Sequence, residues 1–155
     1  MLPPVIVPTS PLSLAARAGD VAACREALAA GVDADVNSAL RVAVSARRTE
    51  VVALLLDAGG NPSPQDDWLI CIAASTGDEG IVRLLHQHGA SVTAQANRPL
   101  LEAAMNGCAS MCQTLIDMGA DPNAVSARAL LVAVKLGHAD AARVLLQAGA
   151  DPSLE

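Results

Sequence analysis

The chain has 155 residues, just over half of them apolar, a single aromatic residue (Trp68) and a net charge of −6. That length allows one domain with a sizeable core, but a core without Phe or Tyr must fill its volume with Ala, Val and Leu between closely spaced elements. The acidic balance argues against general affinity for nucleic acid, which needs clustered cations, and the apolar runs are too short and too often broken by charge to span a membrane.

Residues 1–8, Met1-Leu-Pro-Pro-Val-Ile-Val-Pro8, carry no basic n-region and hold prolines within their apolar part. They do not read as a signal peptide, and an extended segment covering the first end of the fold is expected. The expected location is cytoplasmic. There Cys24, Cys71, Cys108 and Cys112 are expected to be reduced, and Cys24 and Cys112 share a core column with Val52 and Val82.

From residue 9 onward the chain repeats. Gly19, Gly77, Gly107 and Gly137 are each followed twelve residues later by Gly31, Gly89, Gly119 and Gly149, and Arg47 with Gly59 fills the missing register. In the first unit (about 9–36), Leu12, Ala15 and Ala16 precede Gly19, and Asp20 stands where a second helix begins. The second (37–66) has Leu40, Ala43 and Val44 before Arg47, then Val51, Val52, Leu54 and Leu55 at amphipathic helical spacing. In the third (67–96), Asp66-Asp67 is expected to cap a helix carrying Ile70, Ala73 and Ala74. Asp78 and Glu79 open the next helix, where the dipole favours acids. The fourth (97–126) has Leu100, Ala103 and Ala104, and the fifth (127–155) Leu130, Ala133 and Val134. Small residues at fixed positions on one face let helices approach closely. Glycine suits the helix ends, because the residue after a helix commonly takes positive φ. Arg47 occupies such a column and is expected to pay for it in backbone strain.

Ser10-Pro-Leu-Ser-Leu-Ala-Ala-Arg-Ala-Gly-Asp20 and Gly137-His-Ala-Asp-Ala-Ala-Arg-Val-Leu-Leu-Gln-Ala-Gly-Ala-Asp-Pro152 resemble ankyrin repeats. Tetratricopeptide and HEAT repeats do not explain the twelve-residue glycine interval together with the Gly-Ala-Asp-Pro-Asn ending at 119–123. The expected fold is all-α, an ankyrin-type solenoid of five helix-turn-helix repeats forming one domain over 9–155. Standard ankyrin repeats run to about 33 residues. Here the shortfall lies where the family has its β-hairpin finger, and no Asn-Gly or Asp-Gly turn signal stands there, so short loops are expected. The family's Thr-Pro-Leu-His start is eroded too, its His column reading Ser13, Arg41, Cys71, Leu101 and Leu131.

No catalytic, cofactor or metal site emerges. His138 follows Gly137 where the family commonly carries a structural histidine, and His86 and His88, two apart, point in different directions on a helix. Cys108 and Cys112 share a helical face but lack the further ligands of a zinc site. Phosphate-loop and nucleophile-elbow motifs are absent from the sequence. The resemblance implies instead a non-catalytic protein-binding module, an adaptor or an inhibitor of the kind found among immunity proteins, with a protein partner. With the fingers shortened, the first-helix ridge is the expected surface: Arg17, Trp68, Arg98, Met105, Arg128, Lys135 and Leu136 fall in its exposed columns. Trp and Arg are enriched among residues that dominate interfaces. The alternative is a self-associating scaffold, or the repeat part of a longer protein. Its homo-oligomer would form through the last repeat, where Leu131, Val134, Val144 and Leu145 are expected to leave apolar surface.

Overall fold

The computed structural model describes residues 10–31, 35–63 and 67–153. The N-terminal segment 1–8 and Asp66 lie outside the described residues. Among those described there are ten helices and no strand. They form five successive pairs: α1 (Pro11–Ala18) with α2 (Val21–Ala30), α3 (Val36–Ser45) with α4 (Thr49–Asp57), α5 (Trp68–Thr76) with α6 (Glu79–Gln87), α7 (Ala94–Met105) with α8 (Ala109–Asp117), and α9 (Ala124–Lys135) with α10 (Ala139–Gln147). The fold class is all-α, built from helical repeats, and the described links at 90–93 and 120–123 are short turns. No helix among the described residues is long and apolar enough to cross a membrane.

Two compact units result, the first ending at Pro62 and the second beginning at Ser63. In the first, α1 packs on α3 and α2 on α4. In the second, α5, α7 and α9 form a row of first helices, and α8 packs on α10. The repeating small residues make this possible. Ala16, Ala43 and Val44 in the first unit, and Ala73, Ala74, Ala103, Ala104 and Ala133 in the second, are wholly excluded from solvent. Leu12, Leu40, Ile70, Leu100 and Leu130 fill the space between them, each essentially buried. Burying such a side chain contributes roughly 1.5–3 kcal/mol.

Side-chain caps set several helix starts. Ser10 Oγ accepts the Ser13 N–H at 3.1 Å, Asp20 that of Ala23 at 2.9 Å, and Asp78 that of Ile81 at 3.1 Å. Asp35 accepts the backbone N–H and the hydroxyl of Ser38, which hold its carboxyl below the usual carboxylate range. Asp67 departs from expectation. It sits at the N-cap of α5 but makes no capping bond, because its own backbone is left-handed (φ 60). Its Oδ1 accepts instead from the Ser91 N–H at 3.3 Å.

That bond is one of a series. Asn37 Oδ1 accepts from the Asn61 N–H at 2.8 Å, and Asn97 Oδ1 from the Asp121 N–H at 2.8 Å, each partner lying 24 residues downstream. A carbonyl or carboxylate oxygen near the start of the first helix thus fixes the chain as it leaves the second. In the last repeat the corresponding residue is Ala127, and Asn123 takes the role: it accepts from the Asp151 N–H at 2.7 Å and donates to the Gly149 carbonyl at 3.0 Å.

The fourth and fifth repeats share a feature that sequence reasoning did not anticipate. Gln95-Ala96-Asn97 (φ 49, 57 and 62) and Val125-Ser126-Ala127 (φ 51, 57 and 53) each form a left-handed turn inside α7 and α9. Right-handed geometry resumes at Arg98 and Arg128. Pro99 then falls in the first right-handed turn, where its missing N–H leaves no acceptor unsatisfied.

Candidate functional site

Five of the seven ridge residues stand on the first helices of the second unit, and a sixth, Leu136, caps the last of them. Trp68 opens α5 and is half-buried. Arg98 is partly shielded, with 41% of its side chain exposed, because its Nε donates to Glu102 Oε1 at 2.6 Å, an i,i+4 ion pair within α7. Arg128 occupies the same register in α9. Four residues on stands Val132 rather than a carboxylate, so Arg128 is exposed and forms no ion pair with any described residue. Met105 and Lys135 end α7 and α9, and Leu136 lies just past α9; all three are exposed. On the first unit, Arg17 is exposed near the end of α1, and its carbonyl accepts from Arg48 Nε at 3.1 Å.

The left-handed turns shape what lies between α7 and α9. A shallow depression there brings Arg98 and Arg128 together with Asn97, Leu101, Asp121 and Val125. Leu101 is half-buried, while Val125 is 54% exposed, a large apolar group held in water by its own turn. Neither was among the expected site residues. Leu101 was legible as the fourth member of the eroded His column, but Val125 carries no signal, since a β-branched residue rarely adopts positive φ.

The chemistry-bearing residues are otherwise engaged in structure. His138 Nε2 donates to the Met105 carbonyl at 3.0 Å, and His86 Nδ1 to the Ala90 carbonyl at 2.9 Å. His88 is the exposed C-cap of α6. Cys108 is the N-cap of α8, and its carbonyl accepts the Cys112 N–H, while the Cys112 side chain faces the core. All four cysteines are free. Burial pushes the thiols of Cys71 and Cys112 up to about 12, with nearby Glu102 adding to the first and Cys108 to the second. Among the described residues no three His, Cys, Asp or Glu side chains are grouped to hold a metal ion.

At the last repeat Leu131, Val134 and Leu146 are exposed, whereas Leu145, expected on that surface, is fully buried. The one-residue difference follows from helix geometry: Leu145 shares the inward face of α10 with Ala141 and Ala142, and Leu146 is turned about 100° from it.

A family model described as ankyrin repeats (3 copies) matches residues 70–155, more than half of the chain. No curated protein matches it.

Proposed function

The chain belongs to the ankyrin repeat family, whose members are generally protein–protein interaction modules, and on that premise we propose that it is a non-catalytic binder of another protein, acting as adaptor or inhibitor in the cytoplasm. The single observation that carries this reading is the face of the second unit where Met105, Arg128, Lys135 and Leu136 are all exposed. Cations and large apolar groups share this surface although the chain as a whole is acidic. A surface of this composition suits an interface, where apolar burial supplies affinity and charge supplies orientation and rate. Trp68 and Arg98 lie on the same row of first helices, and Arg17 offers a comparable cation on the first unit. The four unpaired thiols fit a reducing compartment. Affinity capture with the whole chain, followed by titration of the captured protein against a Trp68→Ala/Arg98→Ala/Arg128→Ala variant, tests the surface. A loss of binding supports it, and unchanged affinity removes it.

A second reading rests on the last repeat. Ala16, Val44, Ala74 and Ala104 occupy one column and are wholly buried, but Val134 in that column is 62% exposed. A second copy of the chain covering Val134, Leu131 and Leu146 would restore the burial that this column has elsewhere. Light scattering over a range of concentrations decides it: a strict monomer ends the self-association reading and leaves the first untouched.

A further inference from the structure

The depression between α7 and α9 has a composition that specifies more than a generic protein contact. Arg98 and Arg128 stand at equivalent positions of successive repeats, but among the described residues Arg98 has a counter-charge, in Glu102, and Arg128 has none. The acid within the lining, Asp121, is turned to local work, its Oδ1 accepting the Asn123 N–H at 2.8 Å. Beside the cations lie Val125 and Leu101, the first more than half exposed. We infer that this depression takes an extended acidic segment of a partner protein, one carboxylate on Arg128 and a neighbouring aliphatic side chain against Val125 and Leu101. The inference rests on the protein-binding reading and narrows it to a place and a partner chemistry. A neutral or basic segment would leave Arg128 without a counter-charge, whereas a carboxylate gains a guanidinium that forms no ion pair with any described residue. An extended segment, rather than a broad folded surface, can lay single side chains into a small depression between two neighbouring helices.

Selection from a phage-displayed library of random dodecapeptides against the whole chain, followed by anisotropy titration of the selected peptides, tests this. Peptides carrying Asp or Glu beside Leu, Ile or Val are expected, with affinity reduced at least tenfold by Arg128→Glu. Replacing the peptide's acid by Lys should restore binding to the Arg128→Glu variant, a charge-swap cycle that a merely structural role for Arg128 would not produce. Arg128 is exposed, so the variant is expected to melt like the parent chain. Selected peptides without acids, or binding indifferent to Arg128→Glu, overturn the inference. If such binding is nonetheless lost in Trp68→Ala, the wider ridge reading survives. An empty selection overturns the extended-segment inference as well, and a captured folded partner that depends on the ridge would then show that the wider reading stands without it.

Discussion

His138 Nε2 lies 3.0 Å from the carbonyl oxygen of Met105 in the preceding repeat, so the imidazole carries a proton on that nitrogen and closes the end of α7. The carbonyl can only accept, which fixes the direction of the bond. Arg48 makes the same stitch in the first unit, its Nε donating to the Arg17 carbonyl at 3.1 Å. Cys108 occupies the same column but is too short to do so, and pairs with Ser110 Oγ at 3.7 Å. Truncation by His138→Ala is expected to cost about 1 kcal/mol, the usual net worth of one such bond, and Cys108→His to add a comparable amount. Urea denaturation measures both. Equal midpoints for His138→Ala and the parent would show that the stitch contributes nothing.

Gly107 faces the ring of that histidine. A Cβ built on it would lie 2.6 Å from His138 Nδ1, and its φ is +67. Gly137 has a similar φ of +78 with nothing within 4 Å of the same position. Substituting Ala at either site imposes the left-handed penalty of roughly 1–2 kcal/mol, but only Gly107→Ala adds a collision. Gly107→Ala is therefore expected to be the more destabilising, and the excess should vanish in a His138→Ala background. An excess that persists there would mean that the crowding comes from elsewhere.

These two cases show what the sequence made legible. The glycine columns, the small residues at fixed register and the capping Asp20 and Asp78 are local signals with one physical meaning each, and the structure uses them so. The exposure of Arg17, Met105, Arg128, Lys135 and Leu136 was legible because exposure follows register on a helix, whereas Trp68 and Arg98 in the same columns are half-buried. The left-handed turns at 95–97 and 125–127 were not, because Gln, Ala, Val and Ser avoid positive φ when left to themselves. Packing holds them there, together with the Asn97 bond in the first and the backbone bonds from Asn97 N–H to Thr93 O and from Ala127 N–H to Asn123 O. Asp67 misled for a related reason: an acid just before a helix reads as a cap, yet its left-handed backbone makes it the anchor for Ser91.

Asn97 combines two tasks, tolerating φ 62 and accepting the Asp121 N–H. Asn97→Gly removes the bond but not the tolerance, while Asn97→Ala removes both. The expected order of stability is parent, then Gly, then Ala, with the bond worth about 0.5–1.5 kcal/mol and the Ala penalty adding to it. Thermal melts of the three proteins check the order. Equal loss in both variants would mean that the left-handed backbone at this position carries no penalty for Ala.

Arg47 is the non-glycine member of the column that ends the first helices, and its φ is 58. The residue is exposed. Arg47→Gly is expected to stabilise the protein by roughly 0.5–1 kcal/mol, the left-handed penalty relieved. A lower melting temperature in this variant would show that the arginine side chain contributes more than its backbone costs.

The buried thiols give the protein a one-sided response to alkali. Cys71 and Cys112 are pushed up to about 12 in the folded state, chiefly by burial. In the unfolded chain they ionise near the ordinary thiol value, roughly 8.5. Below that value both states hold the proton and stability is undiminished. Between it and about 12 the unfolded state loses protons while the folded state keeps them, so stability falls as pH rises. The chain has no Tyr, and Cys24, whose thiol burial and Asp20 also push up, contributes equally to the parent and the variant. Cys112→Val follows the Val52 and Val82 of its own column, and combining it with Cys71→Ala removes both groups. The urea midpoint of the parent should drop between pH 7.5 and 10.5, and that of the double variant should drop less. Parallel decline in the two proteins would place the alkaline sensitivity outside these cysteines and would mean that their thiols reach solvent more readily than their packing implies.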